Sequence, residues 1–125
     1  MSQQSSTSKY LITWRSCANG ENCSLNNVDL THIAFDPSGC YVIWHGGSEP
    51  KVVYVGQGQL RERLTSHRSN TYIQAYAALG LYVTWATVNE PARDGVEAYL
   101  ADRFQPLVGD RHPDVPHIVV NGPWD

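Results

Sequence analysis

The sequence predicts an α+β domain: a small, mostly antiparallel, three-stranded sheet flanked by helices. Three observations predict it. First, "CYVIW" and "KVVYV" are β-branched and aromatic runs separated by the turn-forming "HGGSEP", so residues 40–55 read as a hairpin. Second, from Leu60 the pattern turns helical, with Leu60, Arg63, Leu64 and His67 on one face roughly 100° wide. Third, "LYVTWATV" at 81–88 reads as a strand, and it is followed by a helical pattern.

The remaining elements follow in chain order. "YLITW" at 10–14 is a candidate strand, and the turn formers of "SCANGENCSLNN" at 16–27 read as loop. "VDLTHIAFD" fits a strand or a short helix, and Pro37-Ser38-Gly39 breaks the chain before the hairpin. "TYIQAYAALG" reads as a helix stopped by Gly80. Pro91 suits the first turn of the last helix, which runs to about Phe104 before Pro106 ends it. Beyond Gly109 the chain is Pro-rich loop with one short strand, "HIVV".

With 125 residues the chain is sized for a single core, taken as residues 10–125 after a polar, disordered tail at 1–9. That tail lacks the apolar centre of a secretory signal, and no apolar run reaches the roughly 18 to 20 residues of a membrane span. A cytoplasmic location is the resulting expectation. Three cysteines, an odd count, are then expected as reduced thiols rather than a disulfide framework. Neither they nor the scattered His32, His112 and His117 have zinc-site spacing. The net charge of −3 does not by itself suggest a nucleic-acid binder, and its distribution is more informative. Residues 51–68 hold Lys51, Arg61, Arg63 and Arg68 against Glu62, a balance of +3 that leaves −6 for the rest. Such a basic spot attracts phosphate modestly and in a salt-sensitive way.

Three polar residues occupy positions where a helix should pack. Arg63 and His67 stand one turn apart beside Leu60 and Leu64, while Arg61 and Arg68 fall at the edge of that face. Glu97 shares its stripe with Val96, Leu100, Ala101 and Phe104. A charge on a packing face is either paired internally or functional. The internal reading is an Arg63–Glu97 ion pair, with Tyr41 and Tyr54 as core residues satisfied by backbone. Gly56-Gln57-Gly58 has neither a third glycine nor a following Lys-Ser/Thr, so it is not a phosphate-cradling loop.

Together these residues resemble the GIY-YIG endonuclease family over residues 38–106. The two name-giving tripeptides correspond to Gly39-Cys40-Tyr41 and Tyr54-Val55-Gly56. "QLRERLTSH" supplies the helix arginine and the histidine one turn later, Arg63 and His67. "EAYLADRFQP" supplies Glu97, Leu100, Phe104 and Pro106 in the family's order. There are departures. Cys40 replaces an aliphatic residue, the tyrosines are thirteen apart, and Gly109-Asp110 stands where an asparagine is common. Asn121 in the tail is the candidate replacement. Residues before 38 form an N-terminal extension to the family pattern.

The resemblance implies hydrolysis of DNA phosphodiesters with one divalent ion, Mg²⁺ or Mn²⁺, held by Glu97. Hard cations of this kind keep much of their hydration and need few protein ligands. Arg63 is expected on the scissile phosphate, where guanidinium geometry suits a charge-assisted pair. Tyr41 is assigned as base and Tyr54 as its positioning partner, the reverse remaining open, with His67 accepting from or orienting Tyr41. Lys51, Gly56, Arg61 and Arg68 are expected to contact nucleic acid. The alternatives are a non-cleaving nucleic-acid-binding module of the same fold, or a structural, partner-binding domain. The short chain fits a structure-selective repair nuclease or a small nonspecific nuclease, including an interbacterial toxin. A sequence-specific role would need a homodimer or a targeting partner.

Overall fold

The computed structural model describes residues 10–109 and 114–125; the polar segment 1–9 and Asp110 lie outside them. Strands β1 (Cys23–Ser24), β2 (Ser38–His45), β3 (Lys51–Gln59) and β4 (Leu81–Thr87) form one antiparallel sheet in the order β1-β4-β2-β3. Helices α1 (Leu60–His67) and α2 (Thr71–Gln74) cover one face of it, and α3 (Glu90–Phe104) covers the other. The architecture is α+β, with four strands rather than the expected three.

The central strand explains why "CYVIW" reads as an unbroken apolar run. Its side chains alternate between two cores, so neither face is left for polar residues. Tyr41 and Ile43 join Val53, Leu60, Leu64 and Ile73 on the α1 face. Cys40 and Val42 join Val55, Val96, Leu100 and Ala101 on the α3 face. β3 is the edge strand, and a bulge between Ile43 and Trp44 shifts its register. The first half of its free edge is closed by main-chain bonds from Leu107 and Val108 to Val52 and Val53. The second half, from Tyr54 to Gln59, borders the polar residues singled out above.

Helix ends are fixed locally. The Gln59 side chain accepts from Glu62 N at 2.7 Å, capping α1 directly off β3. Pro91 lies in the first turn of α3, and Gln105 ends that helix in the left-handed conformation.

Several expectations are corrected here. "YLITW" is not a strand: Tyr10 and Arg15 each make one isolated bridge, to Val120 and Trp85. The segment is held instead by Asn121, whose side chain accepts from Ile12 N and donates to Ile12 O, both at 2.8 Å. Those two bonds commit Asn121 to the N-terminal extension, so it does not replace the asparagine near the proline. "HIVV" reduces to the Val120 bridge alone. "TYIQAYAALG" forms two short turns, α2 and a 3₁₀ helix at Ala77–Leu79, because Asn70 caps the first and Gly80 stops the second. "VDLTHIAFD" contains only the 3₁₀ turn Ile33–Phe35.

The fourth strand lies in the segment read as loop. Two residues are too few to show period-two patterning, so tertiary pairing alone defines β1. Cys17 and Cys23 are joined by a disulfide, and Cys40 is free and buried, against the expectation of three reduced thiols. The turn at Ala18–Gly20 returns the chain so that Cys17 N bonds Glu21 O, bringing the Cα atoms within 5.2 Å. Among the described residues no helix is long and apolar enough to cross a membrane.

Candidate active site

The site forms where β2, β3, α1 and α3 meet at the open half of the β3 edge. Tyr41 is set by strand parity. It pairs with Gly56 across the β2–β3 ladder, so both lie on the α1 face. A Cβ on Gly56 would sit 2.4 Å from the Tyr41 hydroxyl oxygen, which means that the ring lies flat across the glycine. Gly58, two residues on and on the same face, has φ 133°, and a Cβ there would come within 3.0 Å of Arg63 Cγ. The "GQG" of β3 is thus a steric device. It lets a tyrosine ring and an arginine stem cross the strand side by side.

Tyr54, also on this face, stacks near Tyr41 with ring centroids 6.2 Å apart and planes 19° apart. His67 closes the group: its ring centroid is 4.5 Å from Tyr54, and its Nε2 lies 2.6 Å from the Tyr41 hydroxyl. Arg63, one turn earlier on α1, lies beside both phenols and interacts with each electrostatically. Tyr41 is completely buried and His67 nearly so, at 3% exposure, while Tyr54 and Arg63 are half-buried at the edge. The Tyr41 hydroxyl is therefore satisfied by side chains and not by backbone, unlike the purely structural arrangement.

The electrostatics follow from this placement. Burial pushes the Tyr41 phenol above its ordinary value, and Tyr54 and Glu97 push the same way, whereas Arg63 opposes them. Burial first, then the Arg63 charge, lowers His67 to about 4, so the imidazole is neutral at pH 7. Its Nδ1 is buried without a hydrogen-bond partner. With its proton on Nδ1 the ring accepts from the Tyr41 hydroxyl at Nε2, and with its proton on Nε2 it donates to that oxygen; the first form is the one able to receive a proton from Tyr41. Arg63 is itself raised, chiefly by Tyr41.

Glu97 reaches this edge from the opposite face of the sheet. It is 8% exposed on α3, and its Oε1 accepts from Gln57 Nε2 at 2.8 Å. The same amide nitrogen donates to Asp94, one turn earlier on α3. Gln57 pairs with Cys40, so parity turns it to the α3 face between two glycines that belong to the other. Gln57 and Asp94 were not among the residues expected from the sequence. The signal for Asp94 is its i, i+3 spacing from Glu97, and that for Gln57 is its alternation with Gly56 and Gly58. Neither identifies a partner without the sheet.

Of the expected residues, Tyr41, Tyr54, Gly56, Arg63 and His67 converge, and Glu97 acts on Tyr41 across the edge. Three others do not join them. Lys51 is exposed at the far end of β3, about 20 Å of strand from Gln57. Arg61 donates to the carbonyls of Leu30, Thr31 and His32 and pairs with Asp36. Arg68 donates to the carbonyls of Leu25 and Val28. Both guanidinium groups thus hold the 25–36 segment against α1, because its turns leave carbonyls without a regular ladder.

Among the described residues no three His, Cys, Asp or Glu side chains gather as a metal-binding group. The donors present at the edge are the Glu97 carboxylate and its neighbour Asp94, oriented by one amide. Hard oxygen donors in this small number suit a largely hydrated Mg²⁺ or Mn²⁺ and not a softer ion. Comparison with known protein families, with curated proteins and with solved structures finds no match to this chain.

Proposed function

We propose that this chain is a divalent-metal-dependent endonuclease of the GIY-YIG type, hydrolysing DNA phosphodiester bonds at the open half of the β3 edge. One observation carries the reading. A phenol bonded to an imidazole and set beside a guanidinium shares an edge with a carboxylate held by an amide. Structural packing alone does not call for that combination.

The residues divide the work as follows. Glu97, oriented by Gln57, is the ligand for Mg²⁺ or Mn²⁺, and the bound ion supplies charge stabilisation for the leaving oxygen. Arg63 moves from the two phenols onto the arriving phosphate, with which its fork makes a stronger charge-assisted pair. Tyr41 is the phenol with a proton acceptor behind it. It takes the proton of the attacking water at its hydroxyl oxygen and passes its own to His67 Nε2.

Burial raises the Tyr41 phenol and lowers the His67 imidazole, so both shifts oppose full transfer between them in the resting site. A phosphate bound to Arg63 offsets the lesser of the two causes that depress His67, burial being the larger, and so eases proton acceptance at Nε2 only in part. Tyr54 and Arg63, the two half-buried members of the group, stand between the buried Tyr41 and solvent.

The test is Mg²⁺-dependent cleavage of plasmid and single-stranded DNA by wild type and by Glu97→Gln. Wild type is expected to cut, and the variant to lose roughly 10²- to 10³-fold in rate while keeping its fold. Equal rates would remove Glu97 from the metal. A wild type that binds DNA but does not cut it would establish the non-cleaving module instead. If it does neither, both nucleic-acid readings fail.

A further inference from the structure

Beyond the site just described, a cavity of about 670 Å³ is within the range of pockets that hold small ligands. It is lined by Trp44, Lys51, Phe104, Gln105, Leu107 and Trp124. Three of these are aromatic and arranged as a corner. Trp124 stands edge-on to Trp44, with centroids 5.0 Å apart and planes at 86°, and edge-on to Phe104, at 5.5 Å and 82°. Trp124 is nevertheless 51% exposed. Edge contacts hold the indole without covering it.

The corner is ordered from behind. Arg103 donates to Asp125 at 2.9 Å, Gly122 N donates to the same carboxylate at 2.6 Å, and the Arg103 guanidinium lies 4.9 Å over the Phe104 ring. These bonds fix the turn that carries Trp124, so the aromatic surface is set by folding and not assembled on contact. Its chemistry also narrows the ligand. Aromatic corners also accept organic cations, but the lining residues among those described include Lys51, whose charge repels a cation, and no acid to offset it. A planar group that carries negative charge fits, with its ring against Trp124 and its charge toward Lys51.

The location matches that chemistry. Phe104 lies seven residues beyond Glu97 on the same helix, or about 10 Å along its axis. A strand whose phosphate lies at Glu97 reaches that corner within a few nucleotides. We propose that the corner formed by Trp44, Phe104 and Trp124, with Lys51 at its rim, is a subsite that stacks an unpaired nucleobase of the strand being cut. The proposal rests on the nuclease reading for its ligand and assigns Lys51 the phosphate contact that its distance from Arg63 denies it at the scissile bond. It makes the preferred substrate single-stranded or flapped near the cut, since a base inside a duplex cannot reach a stacking surface.

Two measurements test it. In the first, oligonucleotides with one abasic residue are scanned through each position flanking the cut. Wild type is expected to lose between about 5- and 150-fold in cleavage efficiency at one flanking position only, the range for one stacked base. Trp124→Ala should lose a similar factor on the intact substrate and nothing more on that abasic one, whereas Trp124→Phe should cut the intact substrate nearly as wild type does. Tolerance of abasic residues at every position, or an abasic penalty that persists in Trp124→Ala, overturns the subsite.

In the second, tryptophan fluorescence is followed while oligo(dT) is titrated without metal. Quenching in wild type that is lost in Trp124→Ala supports the subsite. If such a protein cuts nothing, the nuclease reading falls while the subsite stands. Absence of quenching in wild type removes the subsite, whatever the cleavage assay reads.

Discussion

Acid should destabilise this fold through His67, by an amount that the structure sets. Its folded value is about 4 against an ordinary 6.5, because burial and Arg63 both oppose the imidazolium. Between those two values the unfolded chain binds a proton that the folded chain does not. Stability therefore rises with pH across the window. The contribution is fully present above pH 6.5, is lost progressively as pH falls, and is gone below about 4. A depression of about 2.5 units corresponds to about 3 kcal/mol. For a marginally stable domain that is a large fraction of the total.

Carboxylates titrate over part of the same range, so the effect is isolated by comparison. Urea unfolding at pH 7.5 and pH 4 is measured for wild type and for His67→Gln, which keeps a polar group near Tyr41 but cannot be protonated. Wild type should lose about 3 kcal/mol more than the variant between the two pH values. The variant is expected to be less stable at pH 7.5, because it loses the 2.6 Å bond to Tyr41, yet flatter with pH. Equal acid sensitivity in both proteins would refute the reasoning. His67 would then be solvated or paired well enough to titrate normally.

Three further outcomes follow from the geometry. Gly56→Ala places a methyl 2.4 Å from the Tyr41 oxygen in a fully buried setting, so it should cost roughly 1 to 3 kcal/mol in denaturant unfolding and impair cleavage as well; a stable, active variant would mean the ring does not cross that glycine. Gln57→Ala should leave the rate at saturating Mg²⁺ close to wild type but raise the Mg²⁺ needed for half-maximal cleavage about tenfold or more, as loss of an outer partner of a ligand does. Arg68→Ala should lower stability by about 2 to 4 kcal/mol, since two carbonyls lose a charged donor, while the affinity for DNA in filter binding stays unchanged. A stable Arg68→Ala that loses DNA would return this arginine to the nucleic-acid surface.

The elements most legible in the sequence were those that carry their own period. The hairpin, the α1 pattern from Leu60 and the α3 helix with Pro91 in its first turn each repeat a face within a few residues, so local spacing reveals them. Arg63, His67 and Glu97 were conspicuous for the same reason: each interrupts an apolar stripe that the spacing had defined. The purely tertiary features have no such signature. Strand β1 is two residues long, the Cys17–Cys23 bond depends on a local turn, and "YLITW" has strand composition but only isolated bridges to pair with.

Charge and composition were the weakest guides, because they do not say what a side chain faces. Arg61 and Arg68 add to a basic surface by composition, yet the fold commits both to the carbonyls of one irregular segment. Gln57 stands unremarked between two glycines until the sheet turns it toward Glu97. The α+β class, the hairpin and the polar residues on packing faces are legible in local spacing. Which face of the sheet each residue occupies is not, because pairing partners lie far apart in the chain. Strand parity sends Tyr41 and Gln57 to opposite sides, and the free edge of β3 is where the two sides meet.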